Sequence, residues 1–499
     1  MLWSTYHVLC VVFLVVVDGN GWINRLRLDN NGNYHLVWFL SEDSITFQVE
    51  VATKGWVGFG ISPNGGMANS DIVIGWVKDN RAEFHDYHAI GNTKPIIDKK
   101  QDWNLLRFYE NGTHTMLRFQ RKLDTCDDKD LPIPEQTARI IYAFHEQDPD
   151  SVDEIMYHGS RNRGTKSVLL LKPQQSDDIK LTDDVLSWDV LTPNATIPGD
   201  VDTMYFCSIH KVPPLDTKHH IIRSQPIIQP GNEPYVHHLV LNLCTVVIES
   251  EMDNLLNQYY PCYENSWIRQ FQNCNIIVSA WGVGGEGNLY PDHVGVPLYG
   301  NSYYVLEIHY DNPSLTKGIV DSSGLRLYYT PKLRTYDAGI LSVGSIWYPC
   351  VLIPPKQKKF IVAGHGDPKC YGSSIPPEGI YVLSVFLHSH LLGTHLTLRH
   401  FRNGKELKPI AEDKYYDFNY QDGTVLSKEV KILPSDHLTV ECVYDSTDRV
   451  SNTLGGLGTQ QEMCLAFILY YPRIAVAASL SGPSCNLALG LAGVSIVAP

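Results

Sequence analysis

The sequence has no excess of positive charge, no long apolar segment and no Cys-x-x-Cys pair. Its 499 residues include 40 Lys and Arg against 54 Asp and Glu, which gives a net charge of −14. A surface that binds nucleic-acid phosphates needs a basic patch, so this balance argues against a nucleic-acid partner. The missing Cys-x-x-Cys pair leaves no indication of a zinc ribbon.

Apolar runs are short at both ends of the chain. The run at residues 8–17 has the length of a signal-peptide core and is too short to span a bilayer. We therefore predict a secretory signal at residues 1–19. The tail at 473–499 is apolar but lacks the polar spacer of a lipid-anchor signal, so it gives only weak support for membrane association.

The cysteines and two sequons agree with export. Of 11 cysteines, Cys10 lies in the predicted signal, and the even number that remains indicates disulfides in an exported chain. The sequons beginning at Asn111 and Asn194 stand in turn-like contexts and are predicted glycosylation sites.

Helical periodicity is scarce, and short β-branched and aromatic runs dominate. Turn residues recur between these runs, which favours β-sandwiches and an all-β fold. The clearest predicted strands are 34–39, 45–51, 115–119, 276–281, 303–310, 325–329, 380–388 and 395–401. A short helix is predicted at 251–259.

The length predicts several domains rather than one core. Three blocks are expected, at 22–172, 185–330 and 335–472. A polar stretch at 174–184 separates the first two, and the apolar tail 473–499 follows the third.

Histidines form the most informative pattern. His388 and His390 end a strong strand, where residues two apart face the same side, so both imidazoles can converge on one metal ion. The simpler alternative is two surface histidines. His237 and His238 are adjacent, and a regular strand would send them to opposite faces unless it bulges there.

Spacing alone does not separate His237-His238 from the similar pair His219-His220. His309, on a strand with Glu307, and Met463 would each be ordinary structural residues by themselves. Together with the pairs they suggest copper, because imidazole binds both copper oxidation states and a thioether prefers Cu(I).

Longer segments resemble the dopamine β-hydroxylase-like monooxygenases of the copper type II, ascorbate-dependent family. The matching segments are 205–207, 218–222, 231–239, 306–310, 321–330, 388–393, 398–402 and 462–465. Residues 22–172 resemble a DOMON domain, with the cues at 55–62, Met67 and 70–76. The resemblance implies a DOMON β-sandwich followed by two jelly-roll-type β-sandwich domains.

The resemblance also implies roles for residues. His237, His238 and His309 match a copper site that stores and transfers an electron. His388, His390 and Met463 match a second copper site, where O2 and the substrate C–H bond react. Two coppers per chain, ascorbate as reductant, O2 and a small, phenylethylamine-like substrate are the implied cofactors and partners.

Three disulfides follow from the resemblance, Cys207–Cys262, Cys244–Cys274 and Cys442–Cys464, whereas Cys126, Cys350, Cys370 and Cys485 stay unassigned. The family branch continues well beyond position 472 with further cysteines, whereas this sequence has only the apolar tail there. The alternative hypothesis is therefore a catalytically inactive extracellular copper-binding or interaction protein. The sequence leaves the oligomeric state open.

For the first domain, Met67, His85 and His88 could be haem ligands of the kind found in some DOMON relatives. The simpler expectation is a sandwich with exposed loop histidines and a regulatory or interaction role.

Overall fold

The computed structural model describes residues 24–29, 31–171, 184–263, 273–345, 350–366, 368 and 372–474. The predicted signal, nearly all of the predicted linker, the tail from 475, Cys370 and Cys485 lie outside these residues. The described chain forms two compact units. Unit 1 holds the described residues up to Pro134, Arg139–Lys166 and Leu171, and unit 2 holds the rest from 184 together with Glu135–Ala138 and Ser167–Leu170.

Eleven strands build the β-sandwich of unit 1. They are β1 Asn24–Arg27, β2 Tyr34–Leu40, β3 Ser44–Val51, β4 Val57–Ser62, β5 Asp71–Lys78, β6 Arg81–His88, β7 Ile96–Ile97, β8 Asn104–Glu110, β9 Thr115–Lys122, β10 Ala138–Phe144 and β11 Arg163–Val168. One sheet has the order β1-β2-β3-β9-β8 and the other β11-β10-β4-β5-β6-β7.

Alternation of buried and half-buried residues fixes the faces of these strands. In β9 and β10 every second residue is buried, which is the pattern of a strand with one face on a core. Phe47, Phe59 and Phe119 meet in that core with ring centroids 4.8–6.0 Å apart. Such aromatic contacts stabilise a sandwich through their large buried area.

The first half of unit 2 contains thirteen strands. They are β12 Leu186–Leu191, β13 Ala195–Thr196, β14 Thr203–Lys211, β15 His219–Ile227, β16 Val236–Cys244, β17 Tyr259–Pro261, β18 Cys274–Gly282, β19 Asn288–Leu289, β20 Val294–Leu298, β21 Tyr303–Asp311, β22 Val320–Asp321, β23 Gly324–Thr330 and β24 Tyr336–Asp337.

The second half of unit 2 contains the remaining eleven described strands. They are β25 Gly339–Ser345, β26 Leu352–Ile353, β27 Phe360–Gly366, β28 Ile380–His388, β29 Gly393–Arg402, β30 Lys405–Glu406, β31 Ala411–Asp413, β32 Thr424–Ile432, β33 His437–Tyr444, β34 Thr453–Leu454 and β35 Cys464–Tyr471.

Each half of unit 2 pairs two larger sheets around its own core. The first half has the orders β12-β23-β15-β20-β24, with β19 beside β15, and β17-β14-β21-β16-β18. The second half has β25-β35-β28-β32 and β27-β33-β29-β30, with β31 beside β29. One cluster of buried aliphatic and aromatic side chains fills the second half, and another fills the first half and also includes Leu383 and Tyr471 of the second. The all-β prediction is confirmed, while the predicted boundaries of three domains stay a prediction.

The predicted helix at 251–259 is wrong in its extent. The α-helix α1 is Glu249–Asp253, and a strand begins at Tyr259. Five residues give barely one turn, so packing of Met252 rather than intrinsic propensity holds this helix. The other described helical segment is the 3₁₀ turn Gly372–Ser374. Within the described ranges, no helix is long and apolar enough to cross a membrane.

Candidate metal centre

A β-bulge brings the adjacent histidines of β16 to the same place. Val236 pairs with Tyr310 on β21, but His238 pairs with His309, so His237 is the extra residue of a bulge. His237, His238 and His309 each offer a ring nitrogen, and these atoms lie within 4.8 Å of one another. The bulge that lets both adjacent histidines reach one metal ion is therefore present.

Hydrogen-bond partners indicate which nitrogens of these imidazoles could bind a metal. His237 Nε2 lies 3.1 Å from the carbonyl oxygen of Phe418, which can only accept, so Nε2 carries the proton and Nδ1 keeps its lone pair. His237 Nδ1 lies 3.3 Å from His238 Nδ1. The buried Nδ1 of His309 has no hydrogen-bond partner. This donor set fits a metal ion that takes three neutral imidazoles.

Aromatic rings fix the orientation of His309 and His237. Tyr205 stacks on His309 with centroids 4.3 Å apart and an interplanar angle of 3°. Phe418 stacks on His237 at 4.0 Å and 18°. Because both imidazoles have an aromatic ring on one face, their nitrogens are held in place without a metal.

His388 and His390 form a second set at the end of β28. His388 Nδ1 donates to Gln421 Oε1 at 2.8 Å, and His390 Nδ1 donates to the carbonyl oxygen of Gln461 at 3.0 Å. Both acceptors are oxygens without a proton, so each imidazole keeps the lone pair of Nε2. The Nε2 atom of His390 is buried and has no partner.

Met463 directly precedes β35, the strand that pairs with β28. His388 pairs with Leu465, two residues after Met463, so Met463 and the two histidines come from the same end of this strand pair. The Met463 side chain is only 4% exposed. Two imidazole nitrogens and a buried thioether from this end of the strand pair would together form a soft donor set that suits Cu(I).

Glu462 ties the segment of Met463 to the segment of His390. Its side chain is fully buried and accepts from Ser389 Oγ at 2.8 Å, His390 N at 2.9 Å and Leu392 N at 2.6 Å. Burial raises the pKa of Glu462 to about 7, against the lowering effect of these donors. No pattern in the sequence indicates this role of Glu462, although the residue directly precedes Met463.

Burial also keeps the candidate ligands uncharged. It lowers the pKa of His388 to about 3 and the pKa values of His237 and His390 to about 4. The pKa values of His238 and His309 fall well below the ordinary range for the same reason, with their histidine neighbours adding to the effect. Neutral imidazoles at physiological pH are the form that binds metals.

The two sets are neighbours within unit 2. The ring centroids of His238 and His388 are 5.6 Å apart, and those of His309 and His390 are 6.5 Å apart. Gln421 links them, because its Oε1 accepts from His388 while its Nε2 donates to Phe418 O at 2.9 Å, the carbonyl that holds His237. Nothing in the local sequence signals this role of Gln421 and Phe418.

Disulfides hold the strands that carry the candidate ligands. The structure contains Cys207–Cys262, Cys244–Cys274 and Cys442–Cys464, which are the three pairs implied by the resemblance. Cys464 directly follows Met463, so its bridge to β33 restrains that segment. Cys126 and Cys350 are exposed free thiols.

The remaining candidates stand apart from both sets. His220 bonds to Asp337 and to the backbone of Arg334, which makes it a structural residue. His85 and His88 are half-buried on β6 and contact Glu83 and Asp98, so the expectation that they are exposed loop residues is wrong.

Met67 packs on a separate aromatic cluster of unit 1. Both sequon asparagines lie at turns; Asn194 is exposed, and Asn111 is half-buried.

Three family models match parts of the chain. Residues 188–317 match the family model described as copper type II ascorbate-dependent monooxygenase, N-terminal domain, and 336–486 match the C-terminal domain of the same description. Residues 30–145 match the DOMON domain.

Several known proteins are similar over most of the chain. The chain is 41% identical to "DBH-like monooxygenase protein 1" of Gallus gallus over 474 residues, covering 94% of this chain and 76% of that protein. It is 41% identical to the Homo sapiens protein of the same name, covering 96% and 78%. It is 34% identical to "Dopamine beta-hydroxylase" of Homo sapiens, covering 90% and 73%.

Proposed function

Because the chain belongs to the copper type II ascorbate-dependent monooxygenase family, we propose that it hydroxylates a C–H bond of a small substrate with O2. Copper and ascorbate are the cofactors of this family. The observation that carries the proposal is the pair of unlike donor sets in unit 2, whose rings His238 and His388 have centroids 5.6 Å apart.

The three-histidine set, His237, His238 and His309, is assigned to the copper that stores and transfers an electron. Three neutral imidazoles bind Cu(I) and Cu(II) without a strong preference, which suits a copper ion that alternates between the two oxidation states. Tyr205 and Phe418 would limit reorganisation of the ligands, because stacked rings cannot easily swing.

The set His388, His390 and Met463, called the oxygen site below, is assigned to the reaction with O2. Copper bound there would supply the one-electron chemistry that reduces O2 and removes hydrogen from the substrate. The protein's part is to hold the two imidazoles in one tautomer through Gln421 and Gln461, and to keep Met463 buried beside them.

For the substrate we propose a phenylethylamine-like molecule. The support is the name of one relative, dopamine beta-hydroxylase. We further propose a place in the secretory pathway, supported by three disulfides and by sequons at turns, since disulfides persist in oxidising compartments.

The test measures copper per chain and ascorbate-dependent O2 uptake by the secreted full chain with a panel of phenylethylamines. We expect about two coppers per chain and uptake that depends on substrate. Met463→Leu should lose one copper and the uptake. Met252→Leu is the matched control, because Met252 is equally buried in unit 2 but outside both sets.

Two outcomes would contradict the proposal. Uptake unchanged by Met463→Leu would remove that residue from the reaction. Two bound coppers without any substrate-linked uptake would favour the alternative, a copper-binding protein without turnover.

A further inference from the structure

One outer sheet face of unit 1 carries a group of arginines. The sheet β1-β2-β3-β9-β8 turns Leu36, Phe47 and Leu117 into the sandwich core, so the alternate positions of its strands face outward. The arginines at outward-facing positions, called the arginine face below, are Arg25, Arg27, Arg107 and Arg118. They come from three different strands, so only the folded sheet brings them together.

Strand pairing places three of these arginines in one row across the sheet. The row runs, by direct cross-strand partners, through Arg25, Val37, Gln48, Arg118 and Arg107. Adjacent strands lie about 4.8 Å apart, so the backbone of this row spans about 19 Å from Arg25 to Arg107. Arg27 lies two residues after Arg25 on β1 and faces the same side.

A β-bulge aims Arg107 at this face. The register shifts between Leu105 and Arg107, so Leu106 is the extra residue of β8. Leu105 pairs with the buried Phe119 and faces inward, and in a regular strand Arg107 would do the same. The bulge instead sets Arg107 directly opposite Arg118. Like charges at directly opposite positions destabilise a sheet, and a bound anion would make this repulsive contact attractive.

The protein supplies little negative charge to this face. Among the outward-facing positions of the five strands that the structure describes, Glu50 is the one acidic residue. No ion pair of the four arginines occurs within the described part of the chain. Burial lowers the pKa of Arg118, and the charge of Arg107 lowers it further. An acidic neighbour would have the opposite effect, so this pair of arginines lacks a counter-ion in the protein.

The guanidinium group of Arg118 is held in position. Its Nε and Nη2 atoms donate to Gln48 Oε1 at 2.9 and 2.6 Å, and its central carbon lies 5.5 Å from the ring centroid of Phe39. The other three arginines are exposed and can reach a ligand. A planar guanidinium presents paired N–H donors that match two oxygens of one oxyanion. The face is therefore suited to sulfate, phosphate or carboxylate groups.

We propose that the arginine face binds a linear sulfated polysaccharide. A row of cations about 19 Å long suits a chain with repeated negative charges better than one small anion. The protein has a net charge of −14, which repels a polyanion at long range, so a local concentration of cations is needed to hold one. Sulfated polysaccharides lie outside cells, where the proposed secretory route leads.

A membrane surface fits this face less well. The apolar residues between the arginines, Val37 and Phe39, are half-buried, so they offer little apolar surface to insert between lipids. The inference concerns unit 1 alone and needs neither copper nor turnover. It is therefore independent of the reaction proposed for unit 2.

The test is retention of the secreted full chain on immobilised heparin at rising salt. We expect retention at about 0.15 M ionic strength and a steep loss above it, because bound cations release counter-ions from the polyanion. Desulfated heparin and phosphatidylserine vesicles should bind at least about 10-fold more weakly. The double variant Arg107→Gln with Arg118→Gln should weaken heparin binding by about 10-fold or more and flatten the salt dependence.

Arg81→Gln with Arg163→Gln is the matched control. Both residues are exposed arginines of unit 1, but they lie on β6 and β11 of the other sheet. The change in net charge is the same, so a purely general electrostatic effect would weaken both double variants equally. The variant of Arg107 and Arg118 should melt no lower than the original chain, because a repulsive pair is removed. Lost binding then cannot result from unfolding.

The proposal is overturned if the unaltered chain is not retained at that salt, or if desulfated heparin or the vesicles bind as tightly as heparin. It is also overturned if the two double variants behave alike, or if the loss of binding is matched by a loss of folding. Heparin binding without ascorbate-dependent O2 uptake would contradict only the proposed function. Uptake without heparin binding would contradict only this inference.

Discussion

Replacing Glu462 with Gln tests how the oxygen site is held together. The carboxylate accepts three hydrogen bonds, two from backbone amides and one from Ser389, and is fully buried. The amide of Gln keeps the size but has one acceptor oxygen and an NH2 group. At least one backbone N–H of the turn at 390–392 would then face a donor instead of an acceptor.

The cost of such an unpaired buried N–H is about 1–3 kcal/mol. If this free energy appears entirely as weaker copper binding by the distorted segments of His390 and Met463, copper affinity at the oxygen site should drop by about 5- to 150-fold. The three-histidine set makes no hydrogen bond to Glu462, so its affinity should stay within about twofold of the original.

The assay is a competition titration with a Cu(I) chelator that resolves two binding steps, combined with thermal unfolding of the copper-free chain. Glu441→Gln serves as control, because Glu441 is half-buried and forms an ion pair with Arg399 on the sheet surface. A pair of this kind contributes about 0–1 kcal/mol. Equal weakening of both copper steps by Glu462→Gln, or a lower melting temperature with unchanged copper affinity, would refute the reasoning.

Three further predictions concern other parts of the chain. Cys464→Ser should lower copper affinity at the oxygen site more than at the three-histidine site in the same titration. Equal losses at both sites would contradict the idea that the Cys442–Cys464 disulfide restrains the segment of Met463. Tyr205→Leu should cost the three-histidine site about 2- to 10-fold in copper affinity, while Tyr205→Phe keeps the stacking and the affinity. Burial, with Asp71 and Asp130 nearby, raises the pKa of Asp86 to about 9. Between pH 5 and pH 9 the folded chain holds this proton and the unfolded chain does not, so the free energy of unfolding falls as the pH rises. The melting temperature of Asp86→Asn relative to the original chain should therefore increase from pH 5 to pH 9.

The strands were accessible from the sequence because their signal is local. Alternation and turn residues predicted the strand at 380–388 to the residue, and other strands to within a few residues at each end. The predicted bounds of the helix at 251–259 were wrong because such a short segment has no strong periodicity of its own. Tertiary packing determines where this helix ends.

The candidate site was only partly accessible. Spacing made His388 and His390 candidates and showed that His237 and His238 could share one ion only at a bulge. The resemblance was required to choose this pair over His219-His220 and to join His309 and Met463 to the sites. Gln421 and Phe418 were missed, because their contact with His237 spans more than 180 positions of sequence. Contacts of that range leave no local pattern, and a polar residue in a loop looks the same whether or not it bonds a ligand.

The bulge of β16 makes His237 an insertion that the core does not need. Val236, Leu239 and Leu241 all point into the core of the first half of unit 2. Without residue 237, these positions would alternate inward and outward as in an ordinary strand, with His238 as the single outward residue between Val236 and Leu239. Deletion of one residue would thus leave the hydrophobic pattern intact and remove a proposed metal ligand. Folding and the proposed metal binding are therefore separable at this point of the chain, and a well-folded descendant could lose the proposed site in a single step.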